Sequence, residues 1–125
     1  MSYPSDLKYT KEHEWVRITG ETAEIGVTDF AQQQLGDVVF VELPAVGTAV
    51  TAGQAFGTIE SVKAVSELFA PIAGEIVDVN PVLRDAPESI NRDPHGTWMV
   101  KVRVAPGAST ADLLDQAQYE QLIAS

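Results

Sequence analysis

The stretch ESVKAVSE, residues 60–67, lies near the middle of the chain and decides how the rest of the sequence is interpreted. It contains Lys63, one of only four lysines, between small and β-branched residues that are typical of strands. Two arms of turn and strand residues, 46–54 and 71–80, flank it almost symmetrically. The pattern predicts a β-hairpin with Lys63 at its tip. By itself it leaves this lysine either a solvated strand residue or a handle to which a group is attached.

Short strands separated by glycine and proline turns are predicted on both sides of this hairpin. They cover residues 14–18, 23–27, 37–43, 56–60, 64–70, 75–79 and 98–104. The last strand alternates, so we expect one face to point inward, with Trp98, Val100, Val102 and Val104. The other face is expected to point outward, with Met99, Lys101 and Arg103. The protein is therefore predicted to be mainly β, a small sandwich or flattened barrel.

Two short helices are predicted at the periphery of the sheets. The first covers residues 28–35, with Thr28 as its N-cap and a glycine directly after it. The second covers residues 109–124, where Ser109 and Asp112 have the spacing of a capping box.

Length and composition limit the classes of fold and partner. The 125 residues suit one domain, 1–125, with a β core over about 14–104 and a helical segment over about 109–125. Eight basic and 18 acidic side chains give a net charge of −10. This charge disfavours nucleic acid and anionic membranes, and it favours docking onto basic patches of proteins. Since no apolar run has the length of a membrane helix and no leader composition is visible, we expect a cytoplasmic protein.

The reactive residue types outline neither a metal site nor a nucleotide site. The chain has no cysteine, which excludes disulfides, thiolate nucleophiles and zinc–sulfur sites. The run Glu12-His13-Glu14 superficially suggests a metal or acid–base cluster, but the other histidine, His95, does not lie at ligand spacing. Structural roles are favoured for both histidines. The glycines lack a phosphate-binding spacing, and Ser61 and Ser66 have no histidine nearby in sequence.

Blocks of sequence along nearly the whole chain resemble, in order, the H-protein family of the glycine cleavage system. The longest are KYTKEHEWV at 8–16, GVTDFAQ at 26–32, LGDVVFVELP at 35–44 and ESVKA at 60–64, and shorter matches continue to Ile90-Asn91. A match to Glu-Ser-x-Lys-Ala alone would be weak evidence for the family, but the combination of several matching blocks in the same order is highly specific. One block departs: residues 91–98 read NRDPHGTW, one residue shorter than the usual Asn-x-x-Pro-Tyr-Gly-x-Gly-Trp and with His95 in place of tyrosine.

The resemblance implies a lipoyl- or biotinyl-domain-like β-fold in which Lys63 carries (R)-lipoate in amide linkage. It implies a monomeric carrier without catalysis of its own, which visits several enzymes in turn. These would be a pyridoxal-phosphate glycine decarboxylase, a tetrahydrofolate-dependent aminomethyltransferase, an FAD-containing dihydrolipoamide dehydrogenase and the lipoylating enzymes. The aminomethyl group would pass from the first to the second, and electrons to the third.

The resemblance also implies that the loaded arm folds back into a cleft on the protein surface. The positions of this chain that match the family's cleft are Glu12, Glu14, Gln34 and Glu67. Carboxylates there would pair with the cationic amine of the cargo, while burial of the arm's methylenes would exclude water. The alternative is that these acids are only part of an acidic surface.

Two other classes of function remain open from the sequence. One is a carrier of the same fold with a different service, a lipoyl domain of a 2-oxoacid dehydrogenase or a biotinyl carrier. Biotin carriers usually place their lysine between methionines, and lipoyl domains usually read Asp-Lys-Ala, whereas Lys63 lies between Val62 and Ala64. The other class is a binding module in which Lys63 is unmodified.

Overall fold

The computed structural model describes residues 3–124. Over this range nine strands form two antiparallel sheets, one of six strands in the order β1-β2-β3-β9-β8-β5 and one of three in the order β4-β6-β7. The strands are β1 Lys8–Tyr9, β2 Glu14–Thr19, β3 Thr22–Val27, β4 Val38–Glu42, β5 Ala49–Val50, β6 Ala55–Ser61, β7 Val65–Phe69, β8 Gly74–Val79 and β9 Val100–Val104. The helices are α1 Asp29–Leu35, α2 Val82–Asp85, α3 Ser89–Arg92 and α4 Gln116–Ala124.

The main core lies between the two sheets. Ile25, Val100 and Val102 of the larger sheet share one buried cluster with Ile59 and Leu68 of the smaller sheet. The predicted mainly β sandwich is confirmed. Within the described residues the sheets share no strand, so the sandwich is open and does not close into a barrel.

The alternation predicted for residues 98–104 is wrong at its beginning. Strand β9 begins at Val100, and Met99 is fully buried. Trp98 is half-buried instead, with its ring centroid 4.6 Å from Nζ of Lys101. The backbone turns into the strand at Met99, where its N–H donates to the carbonyl of Ile25, so the strand's two-residue period does not extend back to this pair.

The helix predicted at 28–35 is confirmed as α1, and the C-terminal helix is present but shorter than expected. The hydroxyl of Thr28 accepts the N–H of Ala31 and caps α1. Helix α4 begins at Gln116 rather than at Ser109, and its capping box joins Asp115 and Gln118, each accepting the other's backbone N–H. The preceding segment cannot be helical because it forms a bridge with β1.

That bridge fastens the C-terminus onto a second, aromatic cluster. The backbones of Tyr9 and Leu114 exchange two hydrogen bonds of 2.8 and 2.7 Å. The rings of Tyr9 and Tyr119 stack with centroids 4.7 Å apart, and Trp15 lies in the same fully buried cluster. Among the described residues, the helices are all too short or too polar to cross a membrane.

The Trp15 indole depends on a glycine beside it. Gly26 pairs with Trp15 across β2 and β3, and a Cβ on Gly26 would lie 2.6 Å from the indole carbons. We expect Gly26→Ala to lower the free energy of unfolding by about 1–3 kcal/mol, because a buried ring has no room to move away. Urea unfolding of both proteins measures the change, provided that the free energy of unfolding falls with urea concentration at the same slope in each.

The matched control is Gly96→Ala, where the added methyl would meet the exposed carboxylate of Asp93, which can rotate away. We expect a smaller loss of stability there. Equal losses for the two variants would contradict the role assigned to Trp15.

Candidate functional site

The hairpin between β6 and β7 places Lys63 at its tip, as the sequence predicted. The buried hydroxyl of Ser61 accepts the backbone N–H groups of Lys63 and Ala64 at 3.3 and 3.1 Å. The N–H of Ser61 donates to the carbonyl of Ala64 at 2.8 Å. The backbone of the tip is therefore fixed from within, while the side chains of Val62, Lys63 and Ala64 remain exposed.

A second set of hydrogen bonds ties the tip to the turn that follows α1. The N–H of Val62 donates to the carbonyl of Asp37 at 3.0 Å. The side-chain amide of Asn91 holds that turn, accepting the N–H of Val38 at 2.8 Å and donating to the carbonyl of Gly36 at 2.9 Å. Sequence reasoning assigned no role to Asn91, although its block was one of those that resembled the family.

A groove of about 430 Å³ lies beside the hairpin. Its walls are the loop before β2, helix α1 and strand β7, and it is lined by the four predicted cleft residues, Glu12, Glu14, Gln34 and Glu67. Lys63 lies at the end of α1, with its Cε 3.7 Å from the position that a Cβ on Gly36 would take. None of these four residues lines the larger groove, of about 740 Å³, between β4 and α2.

Glu14 is a buried acid, unlike the three exposed residues Glu12, Gln34 and Glu67. Its side chain is only 2% exposed, and its carboxylate accepts the hydroxyl of Thr10 at 2.7 Å and the N–H of Phe69 at 3.1 Å. Burial raises the pKa of Glu14 to about 7, although the bonds from Thr10 and Phe69 oppose this shift. Glu14 is therefore not a surface residue, whereas Glu12 and Glu67 are.

The apolar side of the groove was missed by sequence reasoning. Phe30, Leu35, Ile59 and Leu68 line it together with the half-buried ring of His13. The helical period offered a signal, because residues four apart share one helix face and Gln34 lies four residues after Phe30. The groove thus combines an apolar wall with acidic groups.

Comparison with known proteins identifies the relatives of this chain. A family model described as Glycine cleavage H-protein matches residues 7–125. The chain belongs to the glycine cleavage H-protein family. A glycine cleavage system H protein from Chlorobium limicola is 55% identical over 126 residues, and one from Bacteroides thetaiotaomicron is 49% identical over 124 residues, each covering 98% of both chains. The family assigned from the sequence blocks is confirmed.

A solved structure of the same family shares the fold. The crystal structure of a glycine cleavage system H protein from Mycobacterium marinum matches with a TM-score of 0.90 at 38% identity. The match covers 98% of this chain and 100% of that one. The two-sheet architecture, with its short helices, is therefore that of the H-protein family.

The block that departs from the usual H-protein pattern contacts the beginning of α1, the helix that forms one wall of the groove. His95 is half-buried, and its Nε2 accepts the N–H of Asp29 at the beginning of α1, 3.1 Å away. Burial lowers the pKa of His95, although Asp29 and Asp93 raise it, which favours the neutral ring that this contact requires. His95 therefore holds α1, a structural role of the kind favoured for it from the sequence. Among residues 3–124, no three acidic or histidine side chains converge as a metal site.

The burial of the Glu14 carboxyl leads to a prediction about how the stability of the protein depends on pH. Because its folded pKa of about 7 lies above its ordinary value of 4.5, the contribution of Glu14 to stability is full below the ordinary value and is lost as pH rises through the folded value. We therefore expect the free energy of unfolding of the unchanged protein, relative to Glu14→Gln, to fall by on the order of 1–3 kcal/mol between about pH 5 and pH 8.

Urea titrations at several pH values measure this difference, and the exposed Glu67→Gln is the matched control. If the stability of the unchanged protein relative to Glu14→Gln fell with pH no more than its stability relative to Glu67→Gln, the burial of Glu14 as an acid would be contradicted.

Proposed function

We propose that this protein is the lipoylated shuttle of glycine cleavage, a carrier without catalysis of its own, with (R)-lipoate in amide linkage to Lys63. The observation that supports this best is the exposed Lys63 on a braced hairpin, in a chain that belongs to the H-protein family. When bound, the dithiolane of lipoate supplies a sulfur that carries the aminomethyl group and a dithiol that carries electrons.

The residues present fit this group. A lysine supplies a long stem that ends in an acylatable amine, and the stem of Lys63 lies near Gly36 at the end of α1, which forms one wall of the groove. The groove offers Phe30 and Leu35 for the methylenes of an acyl chain. Its volume of about 430 Å³ lies in the range of small-molecule sites.

We propose that Glu12, Glu14, Gln34 and Glu67 form the polar part of the arm cleft. Near neutral pH the Glu14 carboxyl is close to its pKa, so an approaching ammonium favours the charged form and gains a hydrogen-bonded partner. The exposed Glu67 and Glu12 add charge at the rim, where each pair is worth less because water screens it. The apolar wall keeps water from the arm.

The exposed tip and the charge suit a carrier that docks on several enzymes. We propose as partners the pyridoxal-phosphate glycine decarboxylase, the tetrahydrofolate-dependent aminomethyltransferase, the FAD-containing dihydrolipoamide dehydrogenase and the lipoylating enzymes. A net charge of −10 steers association toward basic patches and weakens it as salt rises. A monomeric free state leaves the tip open to each of them.

Lys63→Arg tests the attachment site. Because Lys63 is exposed, we expect the variant to fold normally, to lose the lipoyl adduct in the intact mass of the natively expressed protein, and to reduce glycine decarboxylation to background. The exposed Lys8→Arg is the control and should keep both. A lipoyl adduct that persists in Lys63→Arg, or substantial glycine decarboxylation with this variant, would contradict the assignment of Lys63 as the attachment site.

The same mass measurement separates the other readings. A biotinyl adduct on the unchanged protein would assign it to a different carrier class, and no adduct would leave a binding module with a free Lys63.

Variants of the groove acids test the arm cleft. We expect the loaded protein to release formaldehyde and ammonia about ten-fold faster with Glu14→Gln, and about two- to five-fold faster with the exposed Glu67→Gln. Glutamine is chosen at position 14 because alanine would leave the N–H of Phe69 and the hydroxyl of Thr10 without their acceptor.

Glu60→Gln is the control, since Glu60 flanks Lys63 on the other strand but does not line the groove. Equal release rates for all three variants and the unchanged protein would contradict the placement of the arm cleft in this groove.

A further inference from the structure

The hydroxyl of Tyr119 joins the two protein segments that face each other across the groove. It lies 2.9 Å from Nδ1 of His13 and 2.8 Å from the hydroxyl of Thr28. His13 belongs to the loop that carries Glu12 and leads into Glu14, the first residue of β2, and Thr28 is the N-cap of α1. Tyr119 itself is fully buried and does not line the groove.

These two segments meet just beyond the end of the β2–β3 ladder, whose last pair is Glu14 and Val27. The N–H of Thr28 donates to the carbonyl of His13 at 3.1 Å, and the rings of His13 and Phe30 lie 4.6 Å apart. His13 has a φ of 71°, in the left-handed region. A residue other than glycine keeps such a conformation only where its surroundings hold it. The bond from His13 to Tyr119 is one of the contacts that hold it.

The position of the Tyr119 hydroxyl is set from outside the groove. Helix α4 is fastened to β1 by the two backbone bonds between Tyr9 and Leu114 and by the stacked rings of Tyr9 and Tyr119. The N–H of Tyr3 adds a bond to the carboxylate of Glu120 at 3.1 Å. The hydroxyl therefore projects from a fixed platform toward the two groove segments.

We propose that Tyr119 is a positioning residue for the arm groove, whose hydroxyl holds the loop of Glu12 and His13 against the beginning of helix α1, beyond the end of the β2–β3 ladder. The consequence for the arm rests on the proposed function, but the mechanical link does not. If either wall moved away, the buried hydroxyl would lose a hydrogen-bond partner that water cannot replace, which costs free energy. The link therefore opposes movement of either wall. The C-terminal helix thus contributes to a site that it does not touch.

The first experiment compares Tyr119→Phe with Tyr9→Phe in the full-length protein, by hydrogen exchange of single amides. Both variants remove one hydroxyl from the same aromatic cluster, but the hydroxyl of Tyr9 donates to the carbonyl of Pro4 and not to a groove segment. We expect Tyr119→Phe to speed exchange of the Thr28 and Gln32 amides, which bond to His13 and Thr28, by about ten-fold.

Tyr9→Phe should leave these two amides within about two-fold of the unchanged protein. Equal protection in Tyr119→Phe and the unchanged protein would overturn the proposal. Equal loss in both variants would also overturn it, because the effect would then be one of general stability.

A second variant, His13→Gly, keeps the proposal testable if Tyr119→Phe does not fold. Glycine adopts the left-handed backbone of this position readily and has no side chain to bond Tyr119, so it cuts the link on one side only. We expect faster exchange of the Thr28 amide and unchanged exchange of the Gln32 amide, since Thr28 keeps its bond to Tyr119. Unchanged exchange at Thr28 would overturn the link.

The second measurement is the release of formaldehyde and ammonia from the loaded, lipoylated protein. We expect Tyr119→Phe to accelerate release by about three- to ten-fold and Tyr9→Phe to leave it unchanged. If release is equally fast in the unchanged protein and in Glu14→Gln, the proposed arm cleft is wrong. The hydrogen-exchange measurements then test the Tyr119 link by themselves. Slow release in both tyrosine variants, with the cleft intact, overturns the positioning role.

Discussion

The buried carboxyl of Glu14 is the contact on which the groove depends. Glu14 begins β2 in the larger sheet, yet it accepts the N–H of Phe69 in β7, an edge strand of the smaller sheet. It therefore joins the two sheets at the place where the sandwich is open. Dehydration penalises the charged form of this carboxyl, and two hydrogen bonds only partly offset that penalty. An apolar residue there would avoid this penalty but would leave the groove without its buried acid.

A destabilised acid at this place is consistent with a site that receives a cation. A carboxyl held near half-ionisation shifts readily to its charged form when an ammonium approaches, so part of the electrostatic gain appears only when the cargo is present. A fully exposed acid such as Glu67 is screened by water with or without cargo. Glu14 and Glu67 therefore contribute differently, although both line the same groove.

Local patterns were sufficient for most of the fold and insufficient for the groove. Strands, the α1 cap at Thr28 and the tip at Lys63 follow from residue type and two-residue or helical periods. The predicted start of α4 at Ser109 was wrong, because the bridge between Tyr9 and Leu114 overrides the capping-box spacing there. The burial of Glu14 depends on Phe69, 55 residues away, and no local pattern reports such a contact. Its place in the cleft was available only through the family resemblance.

The hairpin combines a hydrogen-bonded backbone with exposed side chains at its tip, an arrangement that suits a shuttle. Ser61 and the turn held by Asn91 fix the backbone of the tip, so docking on an enzyme orders a side chain rather than a loop. Ordering a backbone segment would cost about 1–2 kcal/mol per residue at each docking event. With the backbone fixed, the reach of the proposed arm would be set by the stem of Lys63 and the acyl chain that it carries. That stem lies near Gly36, at the end of the helix that forms one groove wall.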